Sequence, residues 1–178
     1  MRQFILMLLT FVYLFAENDN VPGKKQVKPI LLKGGTVHIG NGTVMQNSDV
    51  LFDKGRIVRI GQNLQSDANT EVIDVNGKHV YPGLISTLGN LGIVEISSVR
   101  ATRDYAEVGQ FTPEVLSAVA YNPYSEILPV VRAHGITTVM TQPYGGLVSG
   151  RSSIINLDAW TVEDGAESRE AGLIVRWP

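Results

Sequence analysis

The chain's whole stock of imidazole is three histidines, His38, His79 and His134, and it has no cysteine. Disulfides, thiolate metal sites, iron–sulfur clusters and a cysteine nucleophile are therefore excluded, and a histidine-rich metal centre has too few donors. His38 stands beside a glycine turn, and His79 lies in the strand-like run before Pro82. His134 closes a helical run, where a cation at the helix C-terminus accounts for it. No metal ligand is assigned among the three. Residues 145–152, GGLVSGRS, match a phosphate-cradling loop except that Arg151 replaces lysine. Such a loop needs a helix next, so that the helix N-terminus meets the anion. The following SSIINLDAW reads instead as a strand. A glycine-rich loop at the mouth of the fold is the better account, with Arg151 and backbone N–H groups forming a weak anion nest. Residues 100–107, RATRDYAE, bring together Arg100, Arg103, Asp104, Tyr105 and Glu107. Two readings stay open for them: they orient a substrate carboxylate or replace missing ligands, or they are a solvated loop with internal ion pairs. A serine nucleophile has little support, since Ser149 and Ser152 have no histidine near in sequence.

The elements that must position these groups change character near Pro82. Residues 30–80 read as short strands with tight turns. SDVLFDKGRIVRIG is a hairpin signature turning at Lys54-Gly55, and EVIDV precedes a second turn at Asn76-Gly77. After Gly83 the run LISTLGNLGIVEI reads as a buried strand entering a loop. Thr112-Pro113-Glu114 predicts a helix start with Thr112 as its cap. A second helix is expected over 123–133. ITTVM at 136–140 reads as a strand covered on both faces, followed by a glycine-rich loop over 143–150 and strands at 153–157 and 173–177. Strand–helix–strand alternation predicts the opening βα units of a parallel barrel or sheet. The expected fold class is α/β plus a small all-β unit, which the resemblance described below makes a small β-sandwich.

The chain has 178 residues, 15 basic and 17 acidic, for a net charge of −2. No basic face dominates, so nucleic acid is not an expected partner. Arg2 followed by the apolar run 4–16 and then ENDN resembles a secretory leader, too short for the roughly 20 residues of a bilayer span. Residues 1–16 are therefore expected to be a signal peptide, with cleavage near Ala16, a periplasmic or secreted product and no stable membrane span afterwards. Residues 17–29 are polar and lysine-rich and are expected to be a flexible linker.

ILLKGGTVHIGNGTV, SDVLFDKGRIVRIG and EVIDVNGKHVYPGLIS, in this order and spacing, resemble the start of an amidohydrolase-superfamily protein. HGITTVMTQPYGGLVSG is similar to the second barrel strand and loop of imidazolonepropionase-like members, and VEISSVRATRDYAEVG to a secreted bacterial subgroup. The resemblance implies that 30–82 are part of a composite β-sandwich and 83–178 the start of a TIM-like barrel. It also implies a small-molecule substrate and hydrolysis of carbon–nitrogen bonds other than peptide bonds, helped by a zinc-type divalent metal in full-length homologues. Aligned on Pro82-Gly83-Leu84-Ile85, the family's Asp position is Ser86 and its two metal-binding histidine positions are Leu88 and Asn90. Leucine cannot ligate a metal and asparagine is a poor zinc ligand, so no metal is expected in this chain. Asn90 joins Arg100, Arg103, Asp104, Glu107 and Arg151 as an expected substrate-binding residue. The chain is expected to be an N-terminal fragment, inactive alone, with unpaired strand edges that favour a homo-oligomer. The alternative is a non-catalytic binding or scaffold relative that has lost its metal site.

Overall fold

The computed structural model describes residues 21–177, so the expected signal peptide lies outside the described residues. The chain forms two compact units, one over Gly23–Leu84 and one beginning at Ile85.

The N-terminal unit is a five-stranded sheet of β1 (Ile30–His38), β2 (Val44–Asp53), β3 (Arg56–Gly61), β4 (Glu71–Asp74) and β5 (His79–Val80). The order is β3-β2-β1-β4, with β5 also on β1. β1, β2 and β3 run antiparallel through the Lys54-Gly55 hairpin, whereas β4 and β5 pair parallel with β1. Alternation sends Leu31, Val37 and Val50 inward, where they are buried with Val75. β1 runs through Gly34-Gly35 as one strand, with a register shift there. Gly34 (φ +79°) makes this bend because a Cβ would lie 2.3 Å from Asn76 Oδ1. The buried Asp49 carboxylate accepts Gly34 N–H (2.8 Å) and Leu64 N–H (2.9 Å).

The expected flexible lead-in is tied down from Gln26 onward. Gln26 Nε2 donates to Phe52 O (3.0 Å), its Oε1 accepts Gly55 N–H (2.9 Å), and Pro29 O accepts Glu71 N–H (2.8 Å). Lysine-rich composition hid this because a single glutamine amide makes both side-chain contacts.

The C-terminal unit holds a four-stranded sheet in the order β6 (Leu84–Gly89), β7 (Ile136–Thr141), β8 (Val148–Asn156), β9 (Ala166–Val175). Three short helices accompany it, α1 (Ser117–Ala120), α2 (Ile127–Ala133) and α3 (Val162–Gly165), with a 3-10 turn at Arg100–Thr102. Its core joins Ile93, Tyr121, Leu128, Val139, Ile155 and Leu157. Several expectations are corrected here. The parallel succession does not continue past β7, since β7–β8 and β8–β9 are both antiparallel. The chain makes hairpin-like returns between them, with only the single turn α3 in the second. Thr112 does not cap a helix. It is drawn to the sheet, where its N–H and hydroxyl both donate to Val148 O (2.9 and 3.1 Å), and α1 begins only at Ser117. α2 starts at Ile127 rather than at 123. β7 is covered unequally on its two faces: Val139 and Thr141 are buried on one, whereas Ile136, Thr138 and Met140 on the other are half-buried. β6, at one end of the described sheet, leaves Leu84, Ile85 and Leu88 largely exposed instead of buried. Val148, Ser149 and Gly150, expected in the loop, are strand residues of β8.

Candidate functional site

β6 and β7 end side by side, where Gln142 N–H donates to Gly89 O (3.0 Å). Past β6 the chain turns through Gly92 (φ +79°), which lies against the buried ring of Tyr121: a Cβ there would sit 2.2 Å from Tyr121 Cε2. Asn122 N–H donates to Gly92 O (2.7 Å), fixing the turn to the core. The loop that follows is closed by an antiparallel bridge between Val94 and Arg103 and by Asp104 N–H donating to Ile93 O (2.8 Å). Thr102 Oγ1 accepts Ile96 N–H (3.1 Å) and holds the intervening residues. Past β7, Tyr144 N–H donates to Tyr105 O (2.6 Å). These stitches leave a cleft of about 390 Å³, whose wall includes Leu88, Asn90, Arg103, Tyr105, Gln142 and Tyr144. Tyr105 and Tyr144 meet edge to face with ring centroids 6.0 Å apart, and the guanidinium carbon of Arg176 lies 3.4 Å from the Tyr144 ring centroid.

Of the residues expected to bind substrate, Asn90 and Arg103 share this cleft. Arg100 lines a smaller hollow with Arg103 and Tyr105. Asp104 and Glu107 line a third, beside Glu114. Arg151 stands apart on β8, ion-paired with Glu170 of β9. No helix follows it, and its guanidinium is committed across the sheet, so the anion nest does not form there. Gln142, Tyr144 and Ser97 line the cleft without having been singled out from sequence. The signal for Gln142 and Tyr144 was their place just past a strand of the β-prone kind that carries chemistry at its C-terminal end.

The histidines lie elsewhere. His38 Nε2 and His79 Nδ1 are 2.9 Å apart, and His38 stacks on Tyr81 at 4.0 Å between centroids. His134 caps α2, with Nδ1 2.7 Å from Val130 O. In the core of the unit, burial pushes the Tyr121 hydroxyl above its ordinary value of 10.0, with Arg132 opposing and Glu95 adding to the shift. Glu95 itself is held by Ser125 Oγ (2.8 Å) and Asn122 Nδ2 (3.1 Å), which both donate to it.

No protein-family model matches the chain. It is similar to the crystal structure of an amidohydrolase from Thermotoga maritima MSB8, with a TM-score of 0.75 and 29% identity, covering 81% of this chain and 38% of that one. A dihydroorotase of Trichlorobacter lovleyi is 39% identical over 56 residues, 32% of this chain and 13% of the relative. An adenine deaminase of Ruegeria sp. strain TM1040 is 25% identical over 128 residues, 71% of this chain and 17% of the relative. These likenesses support the resemblance to the amidohydrolase superfamily. The chain spans less than a fifth of the length of these two curated relatives.

The divalent metal implied by the superfamily does not fit the strand end present here. Leu88, to which the resemblance gives the first histidine position, is 71% exposed, has φ +60° and offers only hydrocarbon. The cleft wall contains no histidine, cysteine, aspartate or glutamate, and it carries the cation Arg103. Among the described residues no group of three or more such donors gathers anywhere.

Proposed function

We propose that this chain is part of an amidohydrolase-like hydrolase of carbon–nitrogen bonds other than peptide bonds, and that its small-molecule substrate lies in the cleft at the ends of β6 and β7. The observation that carries the reading is the position of that cleft. It sits past the C-terminal ends of neighbouring strands, in a unit whose chain resembles an amidohydrolase structure over most of its length. The residues present are suited to binding and orienting: two amides, one guanidinium and two tyrosines. They include no group suited to take a proton from water, so in this reading catalysis draws on more of a barrel than these 178 residues supply, and the chain alone is inactive. The reading is tested by assaying the full-length product of the reading frame, and the 178-residue chain, against a panel of cyclic amides and N-acyl compounds. Turnover by the former alone is expected; absence of turnover by both removes the hydrolase reading.

A second reading, a non-catalytic binding relative, is favoured by Leu88 standing in a ligand position. It predicts ligand binding without turnover in either form. We also propose export to the periplasm after cleavage near residue 17, which N-terminal sequencing of exported protein tests. Self-association of the chain, checked by sedimentation, is supported by the exposed Ile57 and Val58 on β3 and Val72 on β4.

A further inference from the structure

We infer that the cleft at the ends of β6 and β7 is an anion-recognition site, taking a small planar carboxylate where the superfamily places a metal cation. The inference rests on the reading above only in assuming that this cleft receives the small molecule. Its charge is the first argument. Arg103 is the sole ionisable cation on the wall, and no carboxylate lines it. The nearby acids, Asp104 and Glu107, line a different hollow with Glu114. None of the ion pairs among the described residues involves Arg103. A guanidinium left unpaired in a concave site attracts a carboxylate and matches it with two parallel N–H donors. The same charge repels a divalent cation.

Uncommitted polar groups are the second argument. No hydrogen bond of the Asn90 or Gln142 side chain occurs among the described residues, although their backbones are fixed by the strand ends. Convergent, unused amides beside a free guanidinium give donors and acceptors for a ligand's polar edge. The third argument is the aromatic wall. Tyr144 carries Arg176 over its ring and meets Tyr105 edge-on, so the wall offers rigid π surface to a flat ring. A volume of about 390 Å³ suits a ligand of one or two rings.

The test is calorimetric titration of the full chain with benzoate, benzamide, inorganic phosphate and zinc chloride. Benzoate is expected to bind at least tenfold more tightly than benzamide or phosphate, and to weaken as salt rises. Arg103→Gln should remove that preference and Arg103→Lys should retain part of it, while benzamide binding stays unchanged. Arg103 is exposed, so these variants are expected to fold; Asn90→Leu serves as a second, independent variant, expected to weaken benzoate several-fold. Benzoate binding no tighter than benzamide, or unaltered by both Arg103→Gln and Asn90→Leu, overturns the inference. So does zinc binding that Asn90→Leu abolishes, and phosphate binding as tight as benzoate overturns the planar-ring part. Because the probe is not hydrolysed, Arg103-dependent binding without turnover in the enzyme assay leaves this inference standing while removing the hydrolase reading. Turnover indifferent to Arg103 does the reverse.

Discussion

Among the described residues, the N-terminal unit rests its long-range buried polarity on one carboxylate, with Ser48 as a buried hydroxyl bonded only locally, while the C-terminal unit spreads it over many hydroxyls. Asp49 ties Gly34 and Leu64, each 15 residues away in sequence, through its two oxygens. In the C-terminal unit, Ser153 accepts Ala118 N–H from 35 residues away (2.9 Å) and donates to Arg169 O (2.7 Å). Ser117 donates to Arg151 O (3.1 Å), and Ser152 to Gly172 O (3.2 Å). A charged acceptor makes strong bonds to its few backbone donors, so one residue can hold a small sheet in register. Neutral hydroxyls make weaker bonds, and a core built with them depends on many long-range partners and on close packing of what remains apolar. The first unit should therefore fail at single polar residues, the second at its points of tightest contact.

The largest effect expected from this contrast is in the C-terminal unit. Gly92→Ala adds a methyl group 2.2 Å from the Tyr121 ring at a positive φ, and should destabilise that unit by roughly 4 kcal/mol, from overpacking and left-handed strain together. Hydrogen exchange resolved by segment reads this; unchanged protection over residues 85–177 would break the contrast. Next comes Asp49→Ala, which strands two part-buried backbone donors bonded to a charged acceptor and should cost the N-terminal unit roughly 3 kcal/mol. Protection there should fall, whereas Ser153→Ala, which loses neutral bonds, should cost its own unit roughly 2 kcal/mol. A larger loss at Ser153 than at Asp49 would reverse the argument.

An alkaline titration sharpens the comparison further. The folded state raises the Tyr121 value above its ordinary 10.0, mainly by burial. Below that ordinary value the hydroxyl is neutral in both states and this source of stability is fully present. As pH rises above about 10, the unfolded chain gives up the proton first, and stability falls by up to about 1.4 kcal/mol per pH unit until the folded group also ionises. Denaturant melts at pH 9 and 11 should show the loss, and Tyr121→Phe should abolish it. The smallest expected effect is a gain. Leu88→Gly relieves the left-handed strain of an exposed side chain and, after the extra entropy of the unfolded glycine, should stabilise by about 0.5 kcal/mol, measured by the same melts.

The same contrast explains what could be read from the chain. In the N-terminal unit the information is local: SDVLFDKGRIVRIG alternates, turns at Lys54-Gly55 and returns as β2 and β3. In the C-terminal unit a long-range partner outcompeted local chemistry. Thr112 has a helix-cap composition, yet Val148, 36 residues on, takes its hydroxyl. Val148, Ser149 and Gly150 look like loop by composition and are strand because β9 pairs with β8 from the far side. The site divides likewise. Asn90 is legible through the resemblance, in a ligand position of the family's first barrel strand, and Arg103 through its charged run, whereas Gln142 and Tyr144 are ordinary residues made important by the end of β7 lying beside the end of β6.

Position 88 also bears on evolutionary reversibility. Its main chain rests at φ +60°, a region that histidine, asparagine and aspartate occupy several-fold more readily than bulky aliphatic residues do. Leucine is thus the occupant under tension, and a codon change toward a nitrogen donor there relaxes the backbone instead of straining it. The apolar residue at this strand end is a shallow trap in sequence space, and a lineage carrying it can regain a donor without first repairing the fold.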